Sequence, residues 1–173
     1  MHAERPDGTA RAGSRHDALV EEHGDAIGRA CMAWLGDGAG AQAVVEEIFV
    51  EAINGMAQRG SDSSGNGEPS VRGWLFGIAQ RVCARRLEAR VTTTLPLAPD
   101  FADTQRAPVT GVERTRHALA ELPPTERDAV ILRFVAGLTL LDVAQAARVD
   151  EKTARERVNR GLSKLRALLA EGS

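Results

Sequence analysis

Between Leu138 and Arg160 the chain reads LTLLDVAQAARVDEKTARERVNR, a run whose residue types and order suit contact with nucleic-acid bases. Thr139, three residues before Asp142, forms a capping pair that opens a short helical stretch ending near Ala147. A tight connection at Ala147–Val149 comes next, and Asp150 then caps a last helix running to about Leu169. Ala154, Val158, Leu162, Leu165 and Leu169 recur at helical spacing along it, which turns Lys152, Thr153, Arg155, Glu156, Asn159 and Arg160 outward. Those types have defined partners in a major groove: Arg forks onto guanine O6 and N7, Asn pairs with adenine, and Glu accepts from cytosine N4. The free N–H groups of a helix start add contacts to phosphate. This is the plan of a helix-turn-helix, whose second helix lies in the groove. On the residues alone, the same face also suits the ordinary solvated surface of a three-helix bundle.

The rest of the chain must position that run. No stretch alternates apolar and polar residues as a half-buried strand would, and the predicted fold is all-α, in two small helical domains. Residues 1–15 lack periodicity and read as a disordered tail. Residues 16–91 read as the first domain, with helices over His16–Trp34, Ala41–Met56 and from Ser70 onward. Val44, Val45, Ile48, Phe49, Ala52 and Ile53 line one face of the second helix. Val71, Trp74, Leu75, Ile78, Val82 and Leu87 form a stripe on the third, and Ser70 caps it. Phe49, Phe134 and Trp74 are core residues by this periodicity. Arg59–Pro69, RGSDSSGNGEP, is a loop. Residues 92–112 carry three prolines and no period, so they read as a flexible linker. Residues 113–173 form the second domain, with Leu122-Pro123-Pro124 closing one helix, Thr125 and Asp128 as a weak capping box opening the next, and Gly137 ending it.

Composition narrows the function. Of 173 residues, 43% are apolar and 3% aromatic, with no Tyr, which argues against an aromatic-lined sugar site or a platform of stacked rings. Net charge is −2 but segregated. Asp17–Ile53 holds eight acids against one base, Pro69–Arg90 five Arg against one acid, and Arg148–Leu169 seven bases against three acids. One acidic and two basic patches suit one basic protein partner and a polyanion held twice. Cys31 and Cys83 have no metal spacing and read as buried thiols, and His2, His16, His23 and His117 lie too far apart for a ligand set. No phosphate-cradling Gly-rich loop and no nucleophile–base arrangement is present, so no cofactor, metal or catalytic residue is expected. The polar first fifteen residues lack a signal-peptide core, and no apolar run approaches the roughly 20 residues of a membrane span. The expected location is the cytoplasm.

His117–Leu169 resembles region 4 of bacterial RNA polymerase sigma factors of the extracytoplasmic-function (ECF) class. The resemblance rests on Leu122-Pro123, Arg127, Gly137-Leu138-Thr139, Asp142-Val143-Ala144 and the spaced Thr153, Arg157 and Arg160. Trp74-Leu75-Phe76-Gly77-Ile78-Ala79 is similar to the start of the region 2 helix that faces the −10 element, and Ala41–Ala52 to the helix that grips polymerase. The chain departs from the family where Gln42 and Ala43 replace an acidic pair, Gly77 a common basic residue, and Glu156 a small residue. The resemblance implies a sigma factor that binds core RNA polymerase and promoter DNA, is held by an anti-sigma factor, and performs no bond chemistry. It places −35 recognition on Lys152, Thr153, Arg155, Glu156, Arg157, Asn159 and Arg160. It places −10 contacts on Arg72, Gln80, Arg81, Arg85 and Arg86, with the Arg59–Pro69 loop forming a pocket for an extruded base. Polymerase contact falls to Val45, Glu46, Glu47, Phe49 and Glu51. Two rivals stay open: a stand-alone DNA-binding regulator without a polymerase grip, and a sigma-like decoy for an anti-sigma protein.

Overall fold

A computed structural model describes residues 8–36, 38–59, 70–93 and 111–171, and every regular element among them is helical. In chain order these are α1 (Gly8–Leu35), α2 (Gly38–Arg59), α3 (Val71–Thr93), α4 (Gly111–Glu121), α5 (Pro124–Val130), α6 (Leu140–Ala147) and α7 (Glu151–Glu171). A π-helical turn, Ile131–Val135, continues α5.

Helices α1, α2 and α3 form the N-terminal module. Ile27, Ala30, Cys31 and Trp34 of α1 meet Val44, Ile48, Phe49 and Ala52 of α2 and Leu75, Ile78, Val82 and Cys83 of α3 in one buried cluster. Burial of each larger side chain contributes roughly 1.5–3 kcal/mol. Cys31 and Cys83, 52 residues apart in sequence, come together with their sulfurs 3.7 Å apart. His23 is buried on the α1 stripe as well. At the start of α3, Ser70 Oγ accepts from Gly73 N–H at 2.9 Å, the cap expected from its type.

Helices α4 to α7 form the C-terminal module around Leu119, Leu122, Ile131, Leu132, Leu138, Val143, Ala154, Val158 and Leu165. Its turns obey local chemistry. Gly137 takes φ +71°, a left-handed conformation in which a side chain would be strained. Thr139 and Asp142 make both halves of a capping box, and Arg148, at φ +53°, ends α6. Asp150 accepts from Thr153 N–H at 2.8 Å and so caps α7. Gly161 lets α7 cross α5 closely: a Cβ there would lie 2.9 Å from the Glu126 carbonyl.

Several expectations need correction. Helix α1 begins at Gly8, inside the stretch read as a tail, because Ala10, Arg11 and Ala12 extend a helix already nucleated downstream at little cost. Thr125 and Asp128 make no capping box: α5 starts at Pro123-Pro124 without a side-chain cap, and Asp128 is used elsewhere. Phe134 is 56% exposed rather than core. The π turn is the reason, since Ala136 N–H bonds the Ile131 carbonyl and the inserted residue rotates its neighbours off the buried stripe. The linker read over residues 92–112 falls mostly on residues 94–110, outside the described ones, with α3 ending at Thr93 before it and α4 beginning at Gly111 after it. The two modules do not stand apart. Their buried side chains join in a single cluster, with α3 packed against α6 and α1 against the π turn.

Candidate nucleic-acid interface

The predicted reading residues all sit on the first three turns of α7, and most of them are exposed. Lys152, Arg155, Glu156, Asn159 and Arg160 face solvent, while Ala154 and Val158 pack inward against the module. Thr153 and Arg157 are half-buried. Thr153 is part of the cap, its hydroxyl donating to Asp150 at 2.9 Å, and its two bonds hold the Asp150 carboxyl below its ordinary pKa. Two of the cations already have partners: Arg155 donates to Glu151 at 2.7 Å and Arg160 lies 3.7 Å from Glu126. Lys164, one turn beyond, pairs with the same Glu126 at 2.8 Å. The exposed Arg155–Glu151 pair contributes little stability, whereas Glu126 is buried and faces both Arg160 and Lys164. The α6 to α7 geometry is therefore a helix-turn-helix with an open reading face.

The N-terminal set is arranged differently. Glu51 accepts from Arg81 at 3.1 Å and from Arg85 at 3.0 Å, and Arg85 also reaches Glu47 at 3.2 Å. Partial burial pushes the Glu51 carboxyl up, but the two guanidinium groups outweigh it and hold the pKa low. Two residues expected to meet polymerase thus pair with two expected to meet DNA. Glu46 is exposed and Val45 half-buried beside an open groove of about 930 Å³ that Met32 and Leu119 also line. Phe49 is 2% exposed, so it belongs to the core and its placement among surface contacts is corrected. Its apolar neighbours on α1 and α3 draw it in more strongly than an α2 surface position can hold it out. Arg86 is exposed. The expected base-capturing loop, Arg59–Pro69, has its residues 60–69 outside the described ones.

Two members of the −10 set face the C-terminal module instead. Arg72 Nη2 donates to the Ala136 carbonyl at 3.0 Å, and Gln80 Nε2 donates to Asp128 Oδ2 at 2.7 Å. Trp34 Nε1 donates to the other Asp128 oxygen at 2.9 Å. Burial pushes the Asp128 carboxyl up, and the bonds from Gln80 and Trp34 offset only part of that. Ser70 adds two links, its N–H to Gln145 Oε1 at 2.8 Å and its hydroxyl to Asp142. Although Asp142 is partly desolvated, the Ser70 and Thr139 bonds keep its pKa below the ordinary value. Sequence reasoning missed this seam. Its one local trace is the Gly73 and Gly77 spacing on α3, which leaves a bare strip of backbone.

An exposed, capped second helix joined to α6 by a tight turn gives the C-terminal module the geometry of a helix-turn-helix. Residues 118–167 match the family model for sigma-70, region 4. The chain is 26% identical over 168 residues to the ECF RNA polymerase sigma factor SigE of Mycolicibacterium smegmatis, covering 91% of this chain and 62% of that protein. It is 29% identical over 146 residues to the ECF RNA polymerase sigma factor SigC of Mycobacterium tuberculosis, covering 81% of this chain and 74% of that one. Its fold is similar to CnrH in complex with the cytosolic domain of CnrY, with TM-score 0.65, 24% identity, and 95% of this chain and 96% of that one covered. The sigma factor RpoE in complex with the anti-sigma factor NepR from Bartonella quintana gives TM-score 0.64 at 20% identity, covering 91% and 97%. The family model and both curated relatives are thus sigma factors, and the two relatives are of the extracytoplasmic-function class. It spans a little under two thirds of the SigE relative's length. Among the described residues no helix is long and apolar enough to cross a membrane, and no cluster of His, Cys, Asp and Glu could hold a metal ion.

Proposed function

We propose that the chain directs RNA polymerase to promoters, with α7 reading the −35 element and the arginine-bearing side of α3 meeting the −10 region. The observation that carries this reading is the solvent-facing row Lys152, Arg155, Glu156, Asn159 and Arg160 on a capped second helix, inside the segment matched to region 4. In it, Arg and Asn supply base-edge forks and Lys and Arg neutralise phosphate, so binding weakens steeply with salt as counterions are released. Arg81, Arg85 and Arg86 act as phosphate partners on α3 once the Glu47 and Glu51 pairs exchange. Glu46, Glu47, Glu51 and Val45 form the polymerase-facing part of α2. Arg157, half-buried, supports the reading helix from its flank. An anti-sigma protein is the expected inhibitor, the cytoplasm the expected location, and no step of the activity makes or breaks a covalent bond in the protein.

The relatives align with both modules rather than with the C-terminal one alone, which supports a polymerase-binding factor over a stand-alone regulator. The test is transcription in vitro with core polymerase and the full chain on fragments of the source genome. Initiated RNA that depends on the chain, and is lost in Arg160→Ala together with Asn159→Ala, is the expected result. DNA binding without any chain-dependent transcript would overturn it.

A further inference from the structure

The chain holds two cysteines in 173 residues, and folding brings them together. Cys31 of α1 and Cys83 of α3 are 52 positions apart, yet their sulfurs lie 3.7 Å from each other, with the Cys83 thiol donating to Cys31 Sγ. Neither side chain reaches solvent: Cys31 is 0% and Cys83 1% exposed. A buried thiol often serves as a small apolar filler, but the same core uses Ala30, Ala52 and Ala79 for that purpose. Two thiols in van der Waals contact add a chemistry that alanine lacks. A metal does not account for them, because among the described residues no group of three or more His, Cys, Asp and Glu could hold one.

We propose that Cys31 and Cys83 form an oxidisable dithiol, which small hydroperoxides close to an intramolecular disulfide stapling α1 to α3. The step is a two-electron oxidation in two displacements. The Cys31 thiolate attacks one oxygen of hydrogen peroxide and breaks the O–O bond. Its sulfur becomes a sulfenic acid, and the departing hydroxide takes up the proton that Cys31 released, forming water. The Cys83 sulfur then attacks the sulfenic sulfur, the S–S bond forms, and the hydroxyl leaves with the Cys83 proton as a second water. Two thiols and one peroxide thus yield one disulfide and two waters. The direction of the hydrogen bond assigns the roles. Accepting from Cys83 lowers the Cys31 thiol below its ordinary pKa despite burial, whereas the bond to Cys31, together with burial, pushes Cys83 up. Cys31 is therefore the nucleophile, and Cys83 resolves it.

Burial selects the oxidant. Gly28 and Met32, three residues before Cys31 and one after it, line the open groove of about 930 Å³. A molecule little larger than water needs only a small opening of α1 to arrive from there. Oxidised glutathione requires an exposed sulfur for its exchange and finds none. The sulfurs must close from 3.7 Å to about 2.05 Å, within reach of side-chain rotation and a slight approach of the two helices. The bond falls on the buried side of α3 and leaves the exposed Arg81, Arg85 and Arg86 where they are. It stabilises the N-terminal module without changing what that surface binds.

Peptide mapping of the full chain tests this. After hydrogen peroxide, and alkylation under denaturing conditions, the monomer should show Cys31 joined to Cys83. Oxidised glutathione should leave both thiols unmodified. The peroxide-treated chain should melt roughly 5–10 °C above the reduced one, as expected for a bond closing a long loop. In Cys83→Ser, dimedone should trap a sulfenic acid at Cys31, while in Cys31→Ser the Cys83 thiol should persist. Both thiols surviving peroxide in the unaltered chain, or copies linked to one another in place of the internal bond, would overturn the pair. An unchanged melting temperature would overturn the staple, and a glutathione adduct on either cysteine would overturn selection by burial. A sulfenic acid at Cys83 alone would overturn the assignment of nucleophile. Mapping the unaltered chain requires no substitution, so it decides the matter for any serine variant that fails to fold.

Discussion

The two modules carry their polar surfaces in opposite ways. On the C-terminal module the polar side chains of α7 point to solvent, and their ion partners, Glu151 for Arg155 and the buried Glu126 for Arg160, come from the same module. On the N-terminal module Arg81 and Arg85 of α3 are met by Glu47 and Glu51 of α2, and Arg72 and Gln80 by the other module. A helix-turn-helix presents a reader that is complete as soon as its own short segment folds. A three-helix module built from longer-range packing instead has its functional face shaped by whatever lies against it. The proposed C-terminal face is thus open to solvent, whereas the proposed N-terminal one leaves Arg81, Arg85 and Arg86 exposed but has Arg72 and Gln80 engaged by the other module.

The sharpest break of that comparison comes from Gly161. A Cβ there would sit 2.7 Å from Val130 Cγ2 and 2.9 Å from the Glu126 carbonyl. Gly161→Val should destabilise the C-terminal module by about 3 kcal/mol or more through overpacking. Hydrogen exchange should show α5 and α7 losing protection while the α1–α2 contacts keep theirs. Equal loss in both modules would mean that they unfold as one unit.

Next in size is the reading helix. Arg160→Ala should weaken binding to a −35 duplex by about 1–3 kcal/mol, the worth of one good base contact. The same change should leave thermal stability within about 1 kcal/mol, because the Glu126 pair is exposed on the arginine side and Lys164 remains. Binding indifferent to Arg160 would refute the open reader. For the local cap, Thr139→Ala should cost about 1 kcal/mol of C-terminal stability, measured by urea denaturation, since it removes the acceptor for Asp142 N–H.

The smallest effect separates the seam from the modules. Asp128 faces Trp34 and Gln80 from the N-terminal module, with Arg127 and Arg157 nearby on its own side. Burial raises its pKa above the ordinary 3.8, so the docked form binds the proton more tightly than an exposed Asp does. Docking should therefore be strongest at acid pH and weaken as pH rises from about 4 through the raised value. Asp128→Asn should flatten that slope in scattering measured against pH. An unaltered slope would assign it to another group. Cys83→Ser should leave promoter choice unchanged, because the thiol is buried in the core of the N-terminal module.

Much of the fold was legible in short segments. Thr139 with Asp142, Asp150 with Thr153, Ser70 with Gly73 and Gly137 each act within four residues, so the caps and turns they imply appear in the structure where the residue types place them. The stripe on α3 was legible too, but only as half of the buried surface. Phe134 shows where periodicity fails, because one inserted residue in a π turn rotates the pattern by roughly a quarter-turn and no residue type announces it. Phe49 shows the converse, a residue whose apolar spacing marked it as core although family resemblance drew it toward the surface.

The caps at Ser70, Thr139 and Asp150, the turn at Gly137 and the solvent-facing side of α7 were written in the linear order of residues, because each depends on neighbours one to four positions away. The pairing of Cys31 with Cys83, the neutralisation of Arg81 and Arg85 by α2, and the seating of α6 against Gly73 and Gly77 arose only in three dimensions. Those contacts join residues some 30 to 75 positions apart, and between such segments a glycine's missing side chain becomes meaningful only once another backbone has come to rest against it.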